Sequence, residues 1–559
     1  MLAKKNTLLS VIISVETSDT KKKTRTMSLN SLDKDCIYKI LCFVLHPEGK
    51  RIDVVGKENA HLACVSRSWQ AIIEERTFHT ITLTQHDIAD AARIITPARQ
   101  PLVGTVNLNI QLDNYDEGAR WRVETAAEQQ RNSEVFTAAV RNVFNFLSSW
   151  KPTRGSDFTL ALRVWSPTDI NRLSPEAAEE LVQRLPFSPL RRYEKSLIQF
   201  LDDADTLPAL EHVTDLQIQR YPDGTQGRNL YRAVDPASVP LLVSKCHNKL
   251  KWLTLFLMDW PRGALEERKR RRKTLAAAID GLPKRLEDLN IAYWGCPPRD
   301  EKCDAPNLLD PGETEDALSL SLRRFYRRPG AVRVHITHTI LGPELYIPEG
   351  EVGNEPEGGD YDDSDDETRY SYDDCRPSAE LNDLYARFPK VTADGRWLHQ
   401  RYEGKNAEQI AWEEWDIRGT SGSSEEEDEG VAIAPGPTDP DPELDHPAYT
   451  NKHRFRIFPI REVLNPLLKA VARTWSQMPT LSSVEWSVAS QWPAHRVEYV
   501  AHYDDDGGGD LDFRGFGFYE DGEDLIDTGE PLVDDDVVDY FKEVLSEREP
   551  KGEIEVYIE

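Results

Sequence analysis

What the 559-residue sequence lacks narrows its class before any motif is read. No CxxC pair occurs. The seven cysteines, Cys36, Cys42, Cys64, Cys246, Cys296, Cys303 and Cys375, are odd in number and scattered. That spacing fits neither a disulfide framework nor a zinc knuckle, and it predicts buried, reduced thiols in an intracellular protein. No apolar run reaches the ~20 residues that a membrane span needs. The nearest, "TLLSVIISV" (7–15), is short and leads into "KKKTRT" with no small-x-small cleavage pattern. It reads as an N-terminal extension and not as a secretory leader. Positive charge is scarce too: 68 Lys and Arg stand against 97 Asp and Glu, a formal charge of −29. Such a field repels phosphate backbones and argues against general nucleic-acid binding.

Catalytic constellations are missing as well. There is no HExxH, no P-loop, no GxSxG and no GxGxxG opening a helix after a strand. "DDDGGGDLD" (504–512) has calcium-loop ingredients but not the ligand spacing or the final glutamate, so a solvated acidic turn is expected. His335 and His338 lie three apart on an expected strand, which sends them to opposite faces and predicts structural histidines. The chain is therefore expected to be no enzyme and to carry no cofactor.

What is present is an organised α/β pattern. At 39% hydrophobic and 30% charged residues, the chain suits about three structural units with unstructured connections. In "SLNSLDKDCIYKILCFVL" (28–45), Leu32, Ile37, Ile40, Leu41, Val44 and Leu45 share one helical face. Asn59 is a good N-cap for a second helix, with Leu62, Val65, Trp69 and Ile72 or Ile73 on one stripe. Alternating strands follow at 103–112, 158–165, 212–219, 249–258 and 285–294, with helical sequence between most of them, as at 132–150 and 174–185.

Several strands share one register: apolar, two residues, apolar, one residue, apolar. It occurs at Phe78/Ile81/Leu83, Val103/Val106/Leu108, Val213/Leu216/Ile218, Leu250/Leu253/Leu255 and Leu286/Leu289/Ile291, with Leu481/Val484/Trp486 as a late copy. Chance supplies roughly thirty such triplets at this apolar content, so context carries the weight. Each copy opens a strand, and three successive copies start about 36 residues apart. That repetition predicts an α/β fold in which an irregular solenoid stacks strands into a parallel sheet. An ordinary α/β domain is the alternative.

Two acidic tracts, 349–376 and 418–450, are poor in aliphatics and cannot bury enough surface to fold. The expected division is a disordered tail (1–26), a helical unit (27–80), a repeat-like region (81–348), an acidic insert (349–376), a partly ordered segment (377–417), an acidic linker (418–450) and a C-terminal α/β part packing on the repeats (451–559). In "REVLNPLLKAVARTW", Pro466 is expected to kink or restart a helix. Arg268, Lys269, Arg270, Arg271, Arg272 and Lys273 form the one dense basic run. It reads as the wet face of a helix over about 264–279, or else as a nuclear localisation signal or a phosphate-binding patch. Ser364 and Ser424 precede carboxylates and suit an acidophilic kinase.

"LDKDCIYKILCFV" (32–44) followed by "ACVSRSWQAIIEERTF" (63–78) resembles an F-box. Leu32, Asp35, Ile37, Ile40 and Leu41 match its first part; Val65, Arg67 and Trp69 match its Val-x-x-x-Trp helix. Asp33 stands where the family has proline, and the loop from His46 to Asn59 is longer than usual. With its repeats, the chain resembles the leucine-rich-repeat F-box proteins of filamentous fungi. The resemblance implies docking of those eight residues on a Skp-type linker and through it a cullin. It implies a protein substrate held by the repeats, no catalytic residues, and a cytoplasmic or nuclear location without membrane or nucleic acid. A scaffold without ubiquitin transfer is the alternative; an α/β enzyme with an unrecognised site is a weaker one. Val65 and Trp69 are expected to hold the helix in place, leaving Ser66, Arg67 and Ser68 to meet a partner.

Overall fold

The computed structural model describes residues 63–64, 66–120, 122–150, 157–169, 192, 196–219, 232–246, 249–259, 265–295, 304–346, 380–389, 391–401, 456–476, 483–489, 495–500, 510–515, 519–520, 523–524, 535–546 and 556–558. Eight parallel strands follow one another in space in the order they follow in sequence. They are β1 (Thr80–Leu83), β2 (Thr105–Gln111), β3 (Thr159–Trp165), β4 (Asp215–Ile218), β5 (Trp252–Asp259), β6 (Asp288–Gly295), β7 (Arg333–Thr337) and β8 (Asp383–Pro389). Sequential parallel neighbours require a crossover between each pair, and the intervening sequence supplies it.

The register stacks the repeated apolar positions into ladders. One runs Ile81, Val106, Leu160, Leu216, Leu253, Leu289, Val334, Leu384; the next runs Leu83, Leu108, Leu162, Ile218, Leu255, Ile291, Ile336, Ala386. Ile81 packs against the core from its edge, and the others are buried in one continuous cluster. Two further copies of the triplet, Ala331/Val334/Ile336 and Leu381/Leu384/Ala386, extend the ladders beyond the copies expected from sequence. The first expected copy is divided, because Phe78 still belongs to the preceding helix.

The helices are α1 (Arg67–His79), α2 (Ile88–Ile94), α3 (Glu117–Arg120), α4 (Ala126–Ser148), α5 (Ser238–Cys246), α6 (Leu265–Asp280), α7 (Ala317–Arg327), α8 (Arg461–Ser476) and α9 (Asp535–Ser546). All but α3 place apolar residues in or against the ladder core, α1 through Phe78. The longest, α4, starts in a capping box: Thr125 accepts from the Glu128 N–H while the Glu128 carboxylate takes the Thr125 N–H. Phe136, Ala139, Val140, Val143, Phe144 and Leu147 then recur at helical spacing and enter the core cluster with the strands. For α1 the N-cap is Ser66, whose side chain accepts from the Trp69 N–H at 3.3 Å, in place of the expected Asn59.

The sheet continues past the acidic insert. The segment 377–417 contributes β8 and the short β9 (His399–Arg401), which pairs with β10 (Arg456–Pro459). The C-terminal part adds β11 (Ser483–Ala489), parallel to β8, then β12 (His495–Val500) and β13 (Asp510–Gly515), both antiparallel to their predecessor. A small hairpin of β14 (Tyr519–Glu520) and β15 (Glu523–Asp524) follows, and β16 (Val556–Ile558) ends the twelve-stranded order. The C-terminal part thus joins the sheet instead of only packing on it. Where an acidic turn is expected over 504–512, Asp510, Leu511 and Asp512 lie in β13, paired with β12; the rest of that stretch lies outside the described residues.

The helix through Pro466 is continuous as α8 and neither ends nor restarts there. Its Leu464, Leu467, Leu468, Val471 and Ala472 join Val537 and Phe541 of α9 in the main core cluster. Lys469 pairs with Asp536 at 2.8 Å, and Arg473 Nε donates to the Tyr540 hydroxyl at 2.9 Å. The expected helix at 174–185, the helix at 28–45 and both acidic tracts lie outside the described residues.

Candidate functional site

Strand alternation leaves the second face of the parallel sheet to be read residue by residue. In β2 and β5 every ladder residue is buried while its neighbours are half-buried. The register carries these neighbours into rows. The first row reads Thr105, Thr159, Asp215, Trp252, Asp288, Arg333, Asp383, and the second Asn107, Ala161, Gln217, Thr254, Asn290, His335, Tyr385. In the third, Phe256, Ala292, Thr337 and Arg387 lie on β5 to β8, with Arg163 on β3.

The acids of the first row are engaged. Asp288 accepts two bonds from Arg333, at 3.0 and 2.6 Å. Asp383 and His335 Nε2 are 2.7 Å apart. Asp215 accepts from Thr159 Oγ1 at 3.1 Å and from Gln217 Nε2 at 2.6 Å.

Toward the strands' C-terminal ends the face turns aromatic. The Phe256 ring meets Trp294 edge-on at 5.7 Å, and His338 stacks on Trp294 at 4.3 Å with the planes 8° apart. His338 follows β7 with φ of 54°, a left-handed backbone that non-glycine residues seldom adopt. That conformation ends the alternation and returns the imidazole to the face that carries His335. The two histidines therefore share a face, against the expectation that they would oppose each other. Burial first, and then the Arg387 charge, lower the His338 imidazole to about 4, so the ring stacks in its neutral form at neutral pH.

A second polar cluster lies just beyond the strand ends. The buried Glu124 carboxylate accepts from Arg232 Nη1 at 2.6 Å, Asn132 Nδ2 at 3.1 Å and Ser196 Oγ. Arg192 stacks over Tyr115 at 4.1 Å, and the Tyr115 hydroxyl donates to Asp169 at 2.9 Å. These groups pair with one another and clamp segments distant in sequence.

The basic run lies in α6, as the sequence pattern implies, but the helix face is not wet. Arg268, Lys269, Arg271 and Arg272 are buried. Arg268 makes a fork on Asp259 at 2.9 and 2.7 Å, and Arg272 makes one on Asp316 at 2.6 and 2.6 Å. Asp316 is also the N-cap of α7. Arg271 reaches Glu267 at 3.1 Å, and Lys269 lies 3.4 Å from Glu266. Arg270 and Lys273 are the members that reach solvent, and each has an acidic partner. Acids from β5 and from the loop before α7 draw the run inward, so most of it is withdrawn from a receptor that reads exposed basic side chains.

Of the F-box-like positions, Leu32, Asp35, Ile37, Ile40, Leu41 and Val65 lie outside the described residues, as do Ser364 and Ser424. Trp69 is 4% exposed, and Ile72 and Ile73 are buried beside it in α1. Arg67 and Ser68 are exposed, and Ser66 is half-buried as the cap. Sequence reading missed Phe256, Trp294, Arg163 and Arg387. The signal was there: large aromatic residues stand at positions where alternation puts polar ones.

Among the described residues no helix is long and apolar enough to cross a membrane, and no group of three or more His, Cys, Asp or Glu is placed to hold a metal. No protein-family model matches the chain, and no curated protein matches it.

Proposed function

We propose that this chain is the substrate-recognition subunit of a Skp–cullin–F-box ubiquitin ligase. In this reading the consecutive strands and helices form an irregular leucine-rich-repeat-like solenoid. The N-terminal unit docks on a Skp-type linker, and the second face of the sheet holds a substrate protein. The chemistry belongs to other subunits, so the chain needs to supply position only.

The observation that carries the reading is a join. Helix α1, which holds Arg67 and Trp69 of the F-box-like motif, passes into β1 at Thr80 with no linker. Three contacts brace it: Arg99 to Glu74 at 2.8 Å, Arg99 over the Phe78 ring at 4.9 Å, and the Gly104 N–H to the His79 carbonyl at 2.9 Å. A docking unit fused in this way would hold the sheet at a defined angle to the ligase.

The test is co-purification of the full chain with a Skp-type linker, with and without Ile40→Asp plus Leu41→Asp. Linker capture by the parent and its loss in the double variant are expected. Capture that survives the double variant sinks the docking surface, and no capture by the parent sinks the function. Cullin and ubiquitylated product in the same pull-down separate a ligase from a scaffold.

A further inference from the structure

We propose that the second face of the sheet, between β3 and β8, holds an extended acidic segment of a partner protein. An apolar anchor rests on the Phe256–Trp294–His338 strip, one carboxylate meets Arg387, and a second meets Arg163. The inference rests on the substrate-recognition reading and names the chemistry of the segment recognised.

Charge on this face is divided along the strands. The first-row acids Asp288 and Asp383 are held by Arg333 and His335. Arg163 and Arg387 stand in the third row, four residues further along their strands. That is about 13 Å by strand rise, beyond the Debye length of about 8 Å in physiological salt. Neither arginine has an ion-pair or hydrogen-bond partner for its side chain among the described residues, and the Arg163 Nε is shut off from solvent without an acceptor. A buried N–H without an acceptor is costly, and the half-buried side chains of Arg163 and Arg387 can each donate a charge-assisted bond to an incoming carboxylate.

The aromatic strip lies between the two cations. Ala292, with little bulk, leaves Phe256 room to reach Trp294. The half-buried rings offer area at small entropic cost, as recognition anchors do. Arg163 and Arg387 are separated by five strand intervals, about 24 Å, a span that about seven extended residues cover. A long polyanion meets a chain of net charge −29 and is repelled, while a short segment with two acids flanking an anchor is matched locally.

The test selects displayed random peptides of about twelve residues on the immobilised full chain, then measures binding of a labelled winner by fluorescence anisotropy. Winners should carry a large apolar residue flanked by acids about seven positions apart. Arg163→Glu and Arg387→Glu should each weaken binding about tenfold or more, and a peptide with lysine for the matching acid should recover affinity for Arg387→Glu. Trp294→Ala should cost about tenfold. Arg387→Gln, with its melting temperature checked, serves where charge reversal disturbs the fold. Selection of basic peptides, failure to enrich any peptide, equal binding by a folded Arg387→Gln, or preference for poly(U) RNA overturns the proposal. Linker capture is measured on the same preparations. A chain that captures linker but selects no acidic peptide overturns this inference alone, and the reverse result overturns only the ligase reading.

Discussion

At Glu344 a carboxylate sits half-buried in the turn Pro343–Leu345, with Oε2 lacking any hydrogen-bond partner. Burial, reinforced by the nearby charges of Asp316 and Asp394, raises its pKa from the ordinary 4.5 to about 7. The folded state thus keeps a proton that the unfolded chain has released across that interval. The contribution to stability is complete below the unfolded value and is lost as pH rises through the folded one. Glu344→Gln should therefore raise the melting temperature more at pH 8 than at pH 5; equal shifts at the two pH values would count against it. Arg272 is a buried charge of another kind, paired through Nε and Nη2 with Asp316 and the Ile340 carbonyl. Arg272→Ala strands Asp316 and should cost about 3–5 kcal/mol in denaturant unfolding, while Arg272→Met with Asp316→Leu should recover much of that. A loss under about 1 kcal/mol for the single variant would show that water replaces the guanidinium.

At the scale of elements, α4 shows how local sequence and tertiary contacts reinforce each other. Its Thr125–Glu128 box closes the first turn, and Glu128 also accepts from Arg122 at 2.6 Å and from Arg192 at 3.1 Å. Those bonds, Arg122 foremost, hold the Glu128 carboxyl well below the usual range. Thr125→Ala removes the hydroxyl acceptor but leaves the arginines, so the expected loss is about 1 kcal/mol, as for a simple cap. Loss of several kcal/mol in the same denaturation measurement would mean that the arginine contacts depend on the box. In α6 the helix itself was readable from sequence, but its orientation was not. Arginines that look solvated in a linear pattern are buried because Asp259 and Asp316 wait on neighbouring elements.

Across the whole molecule the ladders make each strand depend on its two neighbours. Leu255 lies between Ile218 and Ile291 in register. Leu255→Ala should cost about 2–5 kcal/mol. Hydrogen exchange should rise together in β4, β5 and β6, since the cavity opens on all three. A rise confined to β5 would show that the strands are not coupled through the ladder. The same continuity joins segments on both sides of the acidic insert, because β7 pairs with β8 and β8 with β11.

The strand–helix alternation, the repeated triplet and the parallel sheet were legible because each depends on spacing along the chain, where period-two and helical patterns are local properties. The F-box resemblance is a pattern of the sequence alone, and most of its residues lie outside the described ones. Other features depended on contacts between residues far apart in sequence. These include the burial of Arg268 and Arg272, the extension of the sheet through β8 and β11, and the return of His338 to the face of Trp294. Alternation alone puts His338 on the wrong side; one left-handed residue reverses it. The aromatic strip and its two flanking arginines exist only once β3 to β8 lie side by side in register, because no window of the sequence brings Arg163, Trp294 and Arg387 together.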